Sequence, residues 1–491
     1  MNILFATSEA HPLIKTGGLA DVSGSLPRAI RNAHQDIRLI LPAYPAAVAG
    51  ARQLKPVAEF SLPGSKAPVR LLQGWLPHTR VRLYLVDAPE YFDRPGNPYT
   101  RPQGGDWPDN AQRFALFARA VCAVAMNRTA LDWQPDIVHC NDWQTGLVPA
   151  LLSLETNRPA TLFTIHNLAY QGLFSHDRLH SLQLPADWWS LEKLEFHHQL
   201  SFIKGGLVFA DHISTVSPTY AREIRTKAFG CGLEGLLEHR KTQLSGILNG
   251  VDYQVWSPGR DTLLPHTYTA TRLAGKRRDK AELQKAFGLP ARPELPLLGH
   301  VGRLVDQKGI DLILELLPTL LQQHPMQLVI LGTGQPELET ALRAAATQYP
   351  QQLAVRIDYN EALSHLLEAG SDIFLMPSRF EPCGLNQLYS LRYGTPPVVR
   401  RTGGLADSVV DASEANLRRH TATGFVFEQA DTRALLQAIE RALALYRQPE
   451  RWRELMRTGM QADFSWKRSA AAYIDLYAGL LDSPHQYRAT A

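Results

Sequence analysis

The sequence runs to 491 residues, 45% of them hydrophobic, and its 51 Lys and Arg against 47 Asp and Glu leave a formal net charge of +4. That length exceeds one ordinary core and suits two α/β domains. So small a charge demands neither nucleic acid nor an anionic membrane; neither partner is expected, and any anion site must be local. The densest basic run, Lys276-Arg277-Arg278, reads as the solvated start of a helix. The four cysteines, Cys122, Cys140, Cys231 and Cys383, have the spacing of neither a disulfide framework nor a zinc site, which fits a reducing compartment. The opening Met1-Asn2-Ile3-Leu4-Phe5-Ala6-Thr7 lacks the charged start and long apolar stretch of a secretion signal. The most apolar helical pattern, residues 114–126, is interrupted by Arg119 and is too short to span a bilayer. A cytoplasmic protein is expected.

In chain order, strands are expected at 3–6, 37–41, 81–86, 136–139, 161–165 and 212–216, with helices at 109–126 and 144–154. Continuous apolar strands with helical crossovers imply a parallel sheet covered on both faces. The pattern restarts after Asn249-Gly250-Val251-Asp252, with strands at 297–301, 328–331, 354–357, 373–376 and 397–399. Helices are expected at 309–322, 336–347, 361–369 and 432–446. The expected domains are therefore 1–247 and 248–465, each doubly wound. A last helix near 467–481, within a segment 466–491, would pack back on the first domain.

Four connections could carry chemistry. Lys15-Thr16-Gly17-Gly18-Leu19-Ala20-Asp21 sits between a strand and a helix. Its glycines admit a close ligand, Lys15 adds charge, and the helix start favours anions, although such turns also occur with no ligand. Gly302-Arg303-Leu304-Val305-Asp306-Gln307-Lys308-Gly309 leaves the first strand of the second domain, where two cations either neutralise a leaving diphosphate, the reading its strand-end place favours, or are ordinary surface charges on a solvated loop. Ser378-Arg379-Phe380-Glu381-Pro382-Cys383-Gly384-Leu385 follows an apolar strand, and Glu381 would either bond sugar hydroxyls or merely complement a helix dipole. His139-Cys140-Asn141-Asp142-Trp143 and Thr164-Ile165-His166-Asn167 end two strands of the first domain; no second ligand pair matches them, so no metal is expected. The first motif recurs as Arg401-Thr402-Gly403-Gly404-Leu405-Ala406-Asp407, which is either coincidence or a second anion-binding turn. No Asp-x-Asp pair, P-loop, G-x-S-x-G elbow or H-E-x-x-H motif is present.

Together these motifs resemble the bacterial glycogen synthase and plant starch synthase family, of the GT-B fold, and the likeness runs in order from residue 1 to about 480. With no transit peptide ahead of the first strand, the bacterial branch is the expected one. The resemblance implies two Rossmann-like domains facing a cleft. It also implies retaining transfer of glucose from ADP-glucose to glycogen or a malto-oligosaccharide, without metal or organic cofactor. By motif, Lys15 and the Gly17-Gly18 turn would meet the donor diphosphate from one side, and Arg303 and Lys308 from the other. Glu381 would bind glucose hydroxyls near the amides of Cys383, Gly384 and Leu385. His166, with Asp142 and Asn249, would line the glucose pocket. Tyr359 would pack on adenine, and Tyr99 would line the cleft on the donor side. Thr402, Gly403 and Gly404 would approach sugar or phosphate, while Asp21 matches without an assigned role. Many GT-B relatives carry a second Glu eight positions after the first; here that position is Tyr389.

Other classes are weaker. A dinucleotide oxidoreductase would need a complete G-x-G-x-x-G, and Leu331-Gly332-Thr333-Gly334-Gln335 lacks its third glycine. A non-catalytic sugar-binding protein would not need three cations on one diphosphate. A glucan phosphorylase would need pyridoxal phosphate.

Overall fold

The computed structural model describes residues 1–129 and 131–482. It divides into two compact units, one of Met1–Gly250 together with the segment from Trp466, the other Val251–Ser465. Both are α/β, and each is built on its own sheet.

The first unit's sheet runs in the order Leu244–Gly246, His212–Thr215, Ala160–Ile165, Ile137–Asn141, Asn2–Ala6, Asp36–Pro42, Arg82–Asp87, Val69–Trp75, Arg52–Phe60. Its first seven strands are parallel. Ile3, Leu4, Phe5 and Ala6 are fully buried, as expected of a strand covered on both faces. The last two strands are antiparallel, which corrects the expectation of a purely parallel sheet. Arg52–Phe60 is a largely exposed edge strand; its charges and Pro56 are tolerated there because one side needs no ladder. A small sheet of Leu173–Phe174, Gln199–Ser201 and Glu195–Phe196 is added to this unit. The chain leaves the central strand Asn2–Ala6 toward Asp36–Pro42 on one side and later fills the other side from Ile137–Asn141. These two neighbours therefore mark the point where strand order reverses.

The helix Trp466–Asp482 belongs to this unit and packs against Gly18–Asn32. Ser469 Oγ donates to Leu248 O at 2.6 Å, and the buried Tyr477 hydroxyl lies 2.7 Å from His139 Nδ1. No helix of the described residues is long and apolar enough to cross a membrane.

The second unit's six strands are all parallel, in the order Leu353–Arg356, Gln327–Leu331, Leu297–Val301, Ile373–Met376, Pro397–Arg400, Phe425–Phe427. Numbered along the chain this is 3-2-1-4-5-6, the Rossmann order, with its switch point between Leu297–Val301 and Ile373–Met376. The helix Ala274–Phe287 begins where the basic run predicts, but Lys276 is not solvated. Its ammonium donates to Ala369 O, Ser371 O and Thr395 Oγ1 at 2.8, 2.9 and 2.6 Å. Burial lowers its pKa to about 7. A lysine that spans three acceptors acts as a strut between segments.

Replacing Tyr477 by Phe leaves His139 Nδ1 without its partner in a dry environment, while Nε2 keeps Thr164 Oγ1. The expected cost is about 1–2 kcal/mol, read as a lower denaturant midpoint. An unchanged midpoint would show that this contact holds nothing.

Candidate functional site

Ligands of open parallel sheets bind outside the carboxyl ends of strands where the strand order reverses. In the first unit the segments leaving that point are residues 7–17, after Asn2–Ala6, and residues 142–146, after Ile137–Asn141. The first is organised by Glu9, 3% exposed. Its Oε2 accepts from the N–H groups of Thr16 and Gly17 at 2.5 and 3.2 Å. Its Oε1 accepts from Thr16 Oγ1 and the Tyr99 hydroxyl, each at 2.5 Å. Tyr99 also meets Ser8 Oγ at 2.7 Å. Burial, and then the charge of Glu9, raise the Tyr99 phenol far above its ordinary pKa, so it stays protonated. Lys15 pairs with Asp21 at 2.8 Å, which gives Asp21 a role: it steadies Lys15. A Cβ added at Gly17 or Gly18 would meet nothing within 4 Å, so the unit's own packing demands neither glycine. The room they leave suits a ligand. The Gly17 amide itself is already engaged by Glu9, leaving the helix start from Gly18 onward as the donor end.

Asp142 stands at φ +57°, a conformation uncommon outside glycine and concentrated at functional sites. Its Oδ1 accepts from the His166 N–H at 2.7 Å. Burial raises its carboxyl to about 7, against the opposing pull of the backbone N–H groups of His166 and Asn167. Asn141 Nδ2 donates to Ala6 O, so Asn141 Oδ1 is left to accept from His166 Nε2 at 2.9 Å. That fixes the proton on Nε2 and leaves a lone pair on Nδ1. Burial lowers the imidazole to about 3, so the ring is neutral. Asn249 is buried, and its Oδ1 has no partner among the described residues.

In the second unit the switch-point segments are 302–309 and 377–385. Lys308 Nζ donates to Glu381 Oε2 at 2.5 Å, and Ser378 Oγ donates to the same oxygen at 3.0 Å. Gln307 Nε2 donates to Phe380 O, and the Arg379 N–H donates to Gln307 O, so the two segments are laced together. Gly309 is required here: its φ is +70°, and a Cβ would lie 2.2 Å from Pro377 O. Arg303 is exposed and contacts Gln307 Oε1 at 3.2 Å. Cys383 is buried, while Gly384 and Leu385 are half-buried and precede the helix Asn386–Arg392. Gly403 and Gly404 pack on this segment, and the buried Thr402 precedes them. A Cβ at Gly403 would lie 1.9 Å from Glu381 O, and one at Gly404 would lie 2.0 Å from Cys383 O. Tyr359 stands apart, 71% exposed, on the turn after Leu353–Arg356, two strands from the switch point. Tyr389 is buried and stacks on Trp256 with ring centroids 3.9 Å apart, so this position packs and offers no carboxylate. Among the described residues no group of three or more His, Cys, Asp or Glu side chains is placed to hold a metal ion.

Glu9 and His300 lie outside the motifs read from the sequence, and Asn141 and Ser378 lie within them with no role assigned. All lie on or just past the ends of switch-point strands, which is the signal that could have found them. His300 donates from Nδ1 to Leu375 O at 2.9 Å, and burial lowers it to about 4.

Asp142 gives this geometry a pH signature. Its raised pKa means that the folded chain keeps a proton that the unfolded chain, with a carboxyl near 3.8, releases. That contribution to stability is full below the unfolded value and is lost as pH rises through about 7. Asp142→Asn tolerates the same φ and removes the dependence. Its denaturant midpoint is expected to fall less than that of the wild type between about pH 5 and about pH 8. Parallel curves would mean that Asp142 is ionised throughout.

Residues 2–239 match the starch synthase catalytic domain family, and residues 282–458 match the glycosyl transferases group 1 family. The chain is 57% identical to the glycogen synthase of Thioalkalivibrio sulfidiphilus, over 98% of this chain and all of that one. It is also 57% identical to glycogen synthase 2 of Nitrosococcus oceani, over 98% and 97%. Among solved structures it is similar to the catalytic domain of starch synthase IV from Arabidopsis thaliana bound to ADP and acarbose. There the TM-score is 0.88 and the identity 32%, over 98% of this chain and 99% of that one. Sucrose-phosphate synthase from Thermosynechococcus elongatus, at 18% identity and TM-score 0.59 over 98% of each chain, shares the fold. The chain belongs to the glycogen synthase and starch synthase family of GT-B glycosyltransferases.

Proposed function

We propose that the protein elongates an α-1,4-glucan in the cytoplasm, moving glucose from ADP-glucose to the non-reducing end with retention at the anomeric carbon. The observation that carries this is the Lys308–Glu381 pair at the second unit's switch point. An ammonium has three N–H donors, and Glu381 uses one, so Lys308 can also serve a phosphate. Glu381 in turn has Oε1 for a glucose hydroxyl. The family relatives, and the ADP and acarbose in the starch synthase IV structure, support the same donor and acceptor classes.

In this proposal Lys15, Arg303 and Lys308 neutralise the diphosphate as it departs, and no metal or other cofactor is needed. The Gly17-Gly18 turn gives the diphosphate room, and the amides of Cys383, Gly384 and Leu385 lie toward the sugar. Neutral His166, Asp142 and Asn249 line the glucose pocket. Tyr99 lines the donor side, Asp21 steadies Lys15, and Tyr359 meets the base at the far end of the extended donor. Thr402, Gly403 and Gly404 support Glu381 from behind.

Retention by double displacement would need a free carboxylate beside the anomeric carbon. Glu381 has Oε2 held by Lys308 and Ser378 and gives Oε1 to a glucose hydroxyl, and Asp142 is hydrogen-bonded with its carboxyl raised to about 7 by burial. We therefore favour front-face substitution. The bond from C1 to the phosphate oxygen breaks as the acceptor hydroxyl bonds C1 on the same face, and the hydroxyl proton passes to the leaving phosphate.

ADP release from ADP-glucose should depend on added glycogen. Release from UDP-glucose alone would overturn the adenine assignment, and release from neither donor would overturn the proposal. Lys308→Ala should lower kcat on the order of 10²- to 10³-fold. Full activity in that variant, or a trapped covalent glucosyl-enzyme, would contradict the mechanism.

A further inference from the structure

We infer that Glu9 is a positioning residue for the proposed transfer: one carboxylate sets the Lys15–Gly18 turn and the Tyr99 hydroxyl in a single register. The inference rests on the function proposed above and concerns a residue to which that proposal gives no part.

A carboxylate is costly to bury unless its oxygens are hydrogen-bonded. Glu9 is buried and receives four donors, two on each oxygen. Charge-assisted bonds of this kind are short and strong, and the three from Thr16 and Tyr99 have that form here. The four donors come from distant parts of the chain. Thr16 and Gly17 precede the helix Gly18–Asn32, whereas Tyr99 lies on the segment ahead of the helix Asn110–Ala125. Tyr99 is itself anchored, because its carbonyl accepts from Asn110 Nδ2 at 2.9 Å. The Glu9 backbone is fixed in turn, with its carbonyl accepting from Thr7 Oγ1 at 2.9 Å, and Thr7 Oγ1 meets Ser23 Oγ on the Gly18–Asn32 helix at 2.9 Å. The turn is pinned to that helix again where the His11 N–H donates to Ala20 O. Within this frame Glu9 is the side chain that bonds both the Thr16–Gly17 turn and the Tyr99 hydroxyl, which also meets Ser8 Oγ, so the length of Glu9 sets the spacing of turn and hydroxyl.

Reach, rather than charge alone, is therefore the property to vary. Glu9→Asp keeps the charge and is one methylene shorter, so it cannot bond the turn and Tyr99 together. Glu9→Gln keeps the reach. Its amide oxygen can face the Thr16 and Gly17 N–H groups, and its NH₂ can donate to the Thr16 and Tyr99 hydroxyls, which accept as readily as they donate.

The experiment has two arms on the full chain. The first measures glycogen-dependent ADP release from ADP-glucose by wild type, Glu9→Asp and Glu9→Gln. Glu9→Asp should lose about 10- to 100-fold in kcat, with KM for the donor within about threefold of wild type. Its melting temperature should fall by several degrees while the chain stays fully folded at the assay temperature. Glu9→Gln should recover most of the lost kcat. A kcat for Glu9→Asp within about threefold of wild type overturns the inference. So does an equal loss in Glu9→Gln, or a loss matched by a fall in folded fraction. The second arm needs no activity: hydrogen exchange at the Thr16 and Gly17 amides should be slow in wild type and Glu9→Gln and faster in Glu9→Asp. Equal exchange in all three also overturns it. A wild type that releases no ADP overturns the proposed function and the catalytic half of this inference together, while exchange still decides whether Glu9 fixes the turn.

Discussion

A buried carboxylate lies at the root of the candidate site in each unit, and the loops around it take their shape from the need to compensate its charge. Glu9 gathers Thr16, Gly17 and Tyr99, and Glu381 gathers Lys308 and Ser378. Leaving either carboxylate short of partners would cost several kcal/mol, so segments distant in sequence are drawn to one point. The strand ends supply the location, because both carboxylates lie just past the carboxyl ends of strands where the sheet order reverses. Charge then does two jobs in the same place. It orders the loops, and it leaves spare N–H donors on Lys308 and a spare oxygen on Glu381 for a ligand.

The two Thr-Gly-Gly-Leu-Ala-Asp turns show how one pattern can meet different physical demands. Gly17 and Gly18 face space that no protein atom fills. Gly403, at φ +43°, and Gly404 instead press against the carbonyls of Glu381 and Cys383, and Arg401 pairs with Glu428 at 2.6 Å. The first turn is shaped for something that approaches from outside. The second is shaped by the loop it supports, so the echo does not by itself make two anion sites.

Much of this was legible in the sequence where burial is continuous. The strands Leu297–Val301 and Ile373–Met376 have the bounds that their apolar runs predict, and the helix Thr432–Tyr446 has those of its periodicity. Legibility failed where burial is partial or the element is short. Arg52–Phe60 is a charged edge strand, and Phe425–Phe427 spans three residues. Ala274–Phe287 is so polar that only tertiary context reveals its buried Lys276. In the site, motif residues were visible because glycines and cations stand out along a chain. The roles of Glu9 and of Asn141, a motif residue, were not, because they are contacts with residues distant in sequence: Tyr99 for Glu9, and Ala6 and His166 for Asn141.

The proposed transfer has Lys15, Arg303 and Lys308 serve one nucleotide diphosphate. Lys15 tests it most directly, since Lys15 lies in the unit that lacks the Lys308–Glu381 pair. The measurement is a calorimetric titration of ADP into wild-type protein and Lys15→Ala. If Lys15 bears on the diphosphate, the variant binds ADP about tenfold or more weakly, the worth of one charge-assisted contact. Equal affinity in the two proteins would take Lys15 away from the diphosphate and contradict that proposal.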